Sequence, residues 1–100
     1  MFGLMKKAKQ NVTDISTYLE ILGDNRIAYR VTTGTLCDFS YPVTTYGIET
    51  EDMMNGDKQT IADFSRNIED AVDFAEMLIT NKLKPNQMYN MALNYLCSAL

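Results

Sequence analysis

The chain has 100 residues, a length that supports one modest hydrophobic core and so predicts a single domain over residues 1–100. Hydrophobic residues make up 46% of the sequence and charged residues 22%, a balance typical of globular proteins and not of disordered ones. The net charge of −4 argues against direct binding to the phosphates of nucleic acids or of membrane lipids.

The charge is spread unevenly along the chain. Residues 1–35 hold five basic and three acidic side chains, a net +2, whereas residues 36–100 hold four basic and ten acidic ones, a net −6. We expect residues 1–11, which carry three of the lysines, to be a flexible or weakly docked basic segment.

Location and redox state follow from two further patterns. The apolar residues of the N-terminus precede its lysines, the opposite order to a secretory signal, and no run of about 18 apolar residues predicts a membrane span. The two cysteines, Cys37 and Cys97, show no metal-binding spacing. We therefore expect a cytoplasmic protein with two free thiols.

Residues 12–22 are ambiguous between helix and strand. Their apolar positions fit a helical spacing, while Thr17, Leu19 and Ile21 also alternate as in a strand. The turn residues 23–25 follow, and residues 26–33 then alternate cleanly, with Ile27 and Tyr29 on one face. This succession favours a hairpin, with residues 12–22 as its first strand.

The middle of the chain continues the β pattern. Residues 34–42 are predicted to be irregular, because Pro42 cannot occupy a central strand position. Residues 43–50 are predicted as a strand, in which Gly47 marks a bulge or a close backbone approach. Asn55–Gly56 is the strongest turn signal and returns the chain as a short strand over residues 57–62. These segments predict an antiparallel meander of three or four strands.

A first helix is predicted to begin after Ser65 as its N-cap. At about 100° per residue, its inward stripe comprises six apolar residues: Ile68, Ala71, Val72, Ala75, Leu78 and Ile79. Four acids lie on the other side: Glu69, Asp70, Asp73 and Glu76.

A second helix begins near Pro85, a residue suited to a first helical turn. It carries no charged residue, whereas a surface helix normally presents charge on its outer face. Its apolar stripe comprises Met88, Met91, Ala92, Tyr95 and Ala99, widened by Tyr89, Leu93 and Leu96. The predicted fold is thus α+β, a small antiparallel meander covered by a C-terminal pair of helices.

The sequence lacks the side chains that most catalytic mechanisms require. The chain has no histidine, the commonest general base, and no glycine-rich phosphate loop. The acids around the Asn55–Gly56 turn lack the spacing of a calcium-binding loop. We therefore predict no enzyme activity, no catalytic residues, no metal site and no cofactor.

The predicted working surface is a partner-binding one on the two helices. Phe74 and Met77 lie off the inward stripe, toward the acids, and extend an apolar contact area. The whole predicted set comprises Glu69, Asp70, Asp73, Glu76, Phe74, Met77, Tyr89, Leu93 and Leu96. The alternative is that the acids only form a solvated helix surface.

Three short patterns carry a resemblance to a known family. They are Tyr46-Gly47-Ile48, Ile61-x-Asp63-Phe64-Ser65, and the helix break Leu83-Lys84-Pro85. Over roughly residues 26–96 the chain resembles a family of short proteins of unknown function from Gram-positive anaerobic bacteria. The resemblance implies a small cytoplasmic α+β domain, implies no activity, and leaves residues 1–22 outside.

Three functional hypotheses follow. The first is a non-enzymatic regulatory or interaction module that binds a protein partner or a second copy of itself. The alternative is a small phage-type inhibitor, of the anti-CRISPR or anti-restriction kind, whose acidic face blocks a nucleic-acid-binding protein. The third is a hydrolase that uses only carboxylates, for which no residue pair stands out.

Overall fold

The computed structural model describes residues 12–36 and 41–99, with side chains described as far as Tyr95 in the last helix. Four strands precede two helices: β1 Val12–Leu22, β2 Ile27–Leu36, β3 Val43–Asp52, β4 Lys58–Ser65, α1 Ile68–Thr80 and α2 Pro85–Ala99. The predicted α+β fold is confirmed, with four strands, the larger of the two predicted numbers. The predicted basic segment 1–11 and residues 37–40 lie outside the described residues.

The strands form one antiparallel meander in the order β1-β2-β3-β4. The strand prediction for residues 12–22 is confirmed, and the Gly23 amide donates to the Ile27 carbonyl at 2.9 Å to close the first hairpin. In the second hairpin Gly56 has a φ of +85°, the conformation that makes Asn-Gly a strong turn signal.

Two predicted boundaries were wrong. β2 continues through Gly34 to Leu36, because these residues pair with the start of β3. β4 continues to Ser65, which pairs with Tyr46, so Ser65 belongs to the sheet and does not cap the helix.

The N-cap of α1 is Asn67, whose side-chain oxygen accepts from the Glu69 amide at 2.9 Å. Ser65 still supports this end, since its hydroxyl accepts from the Asn67 amide and donates to Asp70, both at 3.0 Å. An N-cap of this kind satisfies a backbone donor that the helix itself leaves unpaired.

The helices cover one face of the sheet, called here the helix face. α1 packs on β2 and β3, and α2 packs on β4 and β3. The helix face of β2 carries Ile27, Tyr29 and Val31, all fully buried, as their alternation predicts. The core is completed mainly by Ile48, Phe64, Phe74, Leu78 and Met88. β1 is therefore the strand that lies beyond the cover of the helices.

The opposite face, called here the far face, carries a line of charges across all four strands. Arg30 lies in register with Glu20 on β1 and Glu49 on β3. Its guanidinium contacts Glu20 at 2.7 Å and Glu51 at 3.0 Å, and Lys58 contacts Glu49 at 3.3 Å. Burial lowers the pKa of Arg30, but its bonds to Glu20 and Glu51 outweigh this and raise the pKa. These charges pair with one another across the strands.

Candidate protein-interaction surfaces

β1 exposes an unusual number of large apolar side chains for a strand in an ordered sheet. From Thr13 to Leu22 every residue is exposed. The exposed apolar set comprises Ile15 (51% exposed), Tyr18 (60%), Leu19 (37%), Ile21 (40%) and Leu22 (64%). Monomeric proteins rarely leave an apolar group of this kind uncovered, so β1 is a candidate contact surface.

These side chains point to both faces of the sheet. Leu19 and Ile21 pair with Val31 and Tyr29, which places them on the helix face beyond α1. Leu22 pairs with Ala28, so it lies on the far face, on the same side as Arg30. Neither face of β1 is therefore covered by the described part of the chain.

The outer edge of β1 is partly irregular. Register shifts fall between Thr13 and Ser16 and between Thr17 and Leu19, and Asp14 has a φ of +52°. Such bulges twist an edge strand and make pairing with another chain harder. The regular stretch runs from Leu19 to Leu22 and is the part of the edge suited to accept another strand.

A second surface is the groove between α1 and α2. Met77, Met91, Asn94 and Tyr95 line a depression of about 220 Å³. Met91 also borders a wider one of about 500 Å³ near the start of α2, lined further by Leu83, Lys84, Asn86, Gln87 and Asn90. Methionine and tyrosine side chains adapt to varied apolar partners, so this groove is suited to an apolar helix face.

Acidic side chains lie along the α1 side of the groove. Burial raises the pKa of Tyr95, and the negative charges of Asp70 and Asp73 raise it further. On α1, Asp73 lies one helical turn before Met77, which lines the groove. Asp73 is exposed, whereas Asp70 is partly buried and bonded to Ser65. The predicted acids Glu69 and Glu76 are also exposed on α1.

The exposure predicted for Phe74 was wrong. Phe74 is 0% exposed, and its ring stacks on Phe64 at 4.8 Å and contacts Tyr95 at 5.3 Å between centroids. The buried face of α1 is centred about 50° away from the predicted stripe, since α2 packs along the Phe74 side of the helix. Val72 and Ile79 are correspondingly only partly buried.

The other predicted contact residues lie on different surfaces of the helix pair. Met77 is partly buried at the groove, while Tyr89 (50% exposed) and Leu93 (61% exposed) lie on the outer side of α2. The Tyr89 hydroxyl reaches the Thr60 carbonyl of β4 at 3.4 Å. The side chain of Leu96 lies outside the described residues. The predicted set is thus not one continuous surface.

Sequence reasoning did not include β1 in the contact surface. One signal was present in the sequence, because Tyr18, Leu19, Ile21 and Leu22 place apolar residues on both sides of one strand. A strand that is apolar on both sides is typical of a central buried position. Here the strand lies at the edge of the sheet instead. An edge strand that is apolar on both sides is a candidate contact surface.

Within residues 12–36 and 41–99, no three cysteine or acidic side chains lie close enough together to hold a metal ion. Neither of the two described helices is long and apolar enough to cross a membrane.

No curated protein and no solved structure matches the chain. A family model described as a family of unknown function, DUF6514, matches residues 6–98. The match includes β1, which corrects the expectation that residues 1–22 lie outside the resemblance. The chain therefore belongs to the DUF6514 family of unknown function.

Proposed function

We propose that this protein is a non-enzymatic interaction module whose working surface is β1. The observation that carries the proposal is the exposure of five large apolar side chains on one edge strand, neither face of which is covered by the described residues. An uncovered apolar strand promotes unwanted association unless a specific partner covers it.

The edge itself suits a partner that adds a strand. In this mode main-chain hydrogen bonds supply affinity, and side chains on alternate sides supply specificity. Leu19 and Ile21 offer one apolar strip on the helix face, and Leu22 offers another on the far face. A partner strand beside β1 places its own side chains next to both strips and buries part of each.

Photo-crosslinking in cells that naturally produce the chain tests this. Benzoylphenylalanine replaces Tyr18 on β1 in one variant and Tyr89 on α2 in a matched control, since both tyrosines are about half exposed. We expect a discrete adduct from position 18 and none, or far less, from position 89. Equal adducts at both positions, or none at position 18, contradict the proposal.

A second candidate function is the binding of a basic protein segment in the groove between the helices. Met77 and Tyr95 line an apolar depression, and Asp73 lies one helical turn before Met77 on α1. The charges of Asp70 and Asp73 also act on Tyr95, so the site is complementary to a basic amphipathic helix. This site is where the inhibitor hypothesis would act, with the acids taking the place of nucleic-acid phosphates.

Charge reversal tests the second candidate. The exposed acids Glu69, Asp73 and Glu76 are changed to lysine, and binding of a labelled basic amphipathic peptide is followed by fluorescence anisotropy. Affinity should fall at least tenfold if the acids recruit a basic partner. Unchanged affinity, or equal binding of an acidic peptide with the same apolar face, eliminates this candidate.

A further inference from the structure

The regular part of the β1 edge is centred on Ile21. The register shift next to Leu19 limits it on one side, and the turn that begins at Gly23 limits it on the other. Residues 19–23 therefore form a short segment with Ile21 at its midpoint. A segment of this kind can pair with an identical one around a two-fold axis through its central residue.

The backbone groups that point outward can be assigned from the hairpin. The Gly23 amide donates to the Ile27 carbonyl, so position 23 faces β2. Because backbone groups alternate along an antiparallel strand, Ile21 and Leu19 also face β2. The amides and carbonyls of Glu20 and Leu22 then point away from the sheet, and no strand among the described residues pairs with them.

We propose that the strand that pairs with β1 is the β1 strand of a second copy of this chain, antiparallel and with Ile21 on the two-fold axis. Glu20 of each copy then exchanges two main-chain hydrogen bonds with Leu22 of the other. This rests on the proposed function of β1 and adds the identity of the partner and the register of pairing.

Charge favours this register over the one with its axis at Glu20, which also keeps outward backbone groups opposite one another. With the axis at Glu20, two glutamates lie directly opposite, an arrangement that destabilises strand pairing. With the axis at Ile21, each Glu20 keeps its 2.7 Å contact with Arg30 of its own chain and lies opposite an apolar leucine. A shift by one residue instead exchanges the two faces of the strand.

The side chains also match across the axis. Ile21 of one copy lies beside Ile21 of the other on the helix face, and Leu22 lies on the far face of both copies. The four apolar side chains from Tyr18 to Leu22 leave on the order of 400 Å² accessible, about half of what each partner buries in a standard interface. The paired main chains and the adjoining turns add to this area, so association should depend on concentration.

Cysteine crosslinking tests the register. In a Cys37→Ser/Cys97→Ser background, Ile21→Cys places two thiols at a non-hydrogen-bonded pair with Cα atoms about 4.5 Å apart, within disulfide range. Leu22→Cys is the matched control: it is more exposed, 64% against 40%, but its Cα atoms lie about 9 Å apart across the axis, beyond disulfide reach.

Under mild oxidation we expect Ile21→Cys to give mainly a species of twice the 11.4 kDa chain mass, with at least tenfold less from Leu22→Cys. Ile21→Lys, whose folding is checked by circular dichroism, should weaken dimerisation at least tenfold in sedimentation equilibrium. Equal crosslinking of the two cysteine variants overturns the register, and a monomer mass at all concentrations overturns the second copy as partner.

The two proposals fail in different ways. A photo-adduct at position 18 whose mass is not that of two chains overturns the second copy while it supports β1 as the working surface. Absence of any adduct at position 18, together with a monomer mass, overturns both.

Discussion

The Tyr29 hydroxyl on β2 donates a 2.8 Å hydrogen bond to the carbonyl of Leu83, 54 residues further along the chain. This bond ties the centre of the helix face to the link between α1 and α2. The same hydroxyl accepts from the Asn25 side chain in the first hairpin at 3.2 Å. One buried phenol thus joins the sheet, the hairpin and the helix pair.

Removal of this hydroxyl should destabilise the fold without unfolding it. Tyr29→Phe leaves the Leu83 carbonyl without its donor, at a cost of about 1–2 kcal/mol. Urea denaturation followed by circular dichroism measures the change. Tyr18→Phe on the exposed edge is the control, and a loss of similar size there would contradict the role of the Tyr29 bond.

The free energy of unfolding should fall at high pH, because ionisation of Tyr29 also removes the donated proton. Burial raises the pKa of Tyr29, its bond from Asn25 partly offsets this, and the charge of Asp24 raises the pKa further. Because the folded-state pKa lies above the unfolded value near 10, the stabilisation is fully present below that pH and is lost as the pH rises through the folded-state pKa. The pKa of Tyr95 is raised too and acts in the same direction.

The urea midpoint should therefore show no contribution from tyrosine ionisation between pH 7 and 9 and should decline above pH 10. Tyr29→Phe should make this decline smaller, while Tyr95 sustains part of it. A decline of unchanged size in Tyr29→Phe contradicts the assignment to Tyr29.

Arg30 should contribute more to stability than an ordinary surface ion pair. Its side chain is 15% exposed and contacts Glu20 and Glu51, and Glu49 lies within 3.8 Å. Arg30→Met leaves these carboxylates close together with less opposing charge, at a cost of about 1–2 kcal/mol after allowance for solvent screening.

Two matched variants separate the effect of the Arg30 charge from that of its hydrogen-bond geometry. Arg30→Lys keeps the charge but not the fork of donors, and should recover only part of the loss. Glu20→Gln changes a carboxylate that is 50% exposed and should cost under about 1 kcal/mol. Equal midpoints for Arg30→Met and the wild type, measured at low salt, would show that the line of charges does not stabilise the sheet.

Phe74 should be among the most sensitive positions in the chain. Phe74→Ala removes a ring that is fully buried between Phe64 and Tyr95, which typically costs about 3–5 kcal/mol. Phe74→Leu should cost less, because it refills most of the volume. Leu93→Ala, at an exposed site on α2, should change the thermal midpoint little, and a similar loss at both sites would contradict this assignment.

Gly47 should not tolerate alanine. An added Cβ would lie 2.5 Å from the Ile61 carbonyl oxygen and 2.7 Å from that of Ala62, both main-chain atoms of β4. Gly47→Ala should therefore displace β4 and cost at least about 2 kcal/mol, comparable to an overpacked core site.

Gly56→Ala is the control for Gly47. Its added Cβ meets nothing within 4 Å, but the φ of +85° disfavours alanine, so we expect a loss of about 1 kcal/mol. A larger loss at Gly56 than at Gly47, by urea denaturation, would contradict the close approach of β3 and β4.

Local patterns of the sequence determined most of the elements. Alternation in residues 27–31 identified the buried face of β2, Asn55–Gly56 identified the second hairpin, and Gly47 marked the close approach of two strands. These features depend on each residue and its immediate neighbours, so they can be predicted without the fold. The fold class followed from the same patterns, whereas the family was indicated only by a resemblance in three short sequence patterns.

Tertiary structure alone decided which surfaces remain free. Phe74 is buried because α2 and Phe64 cover a side of α1 that helical periodicity assigns to solvent. Ser65 is a strand residue because it pairs with Tyr46, which leaves Asn67 as the cap. β1 is exposed because the helices pack on the other three strands, and no local pattern specifies which strand lies at an uncovered edge.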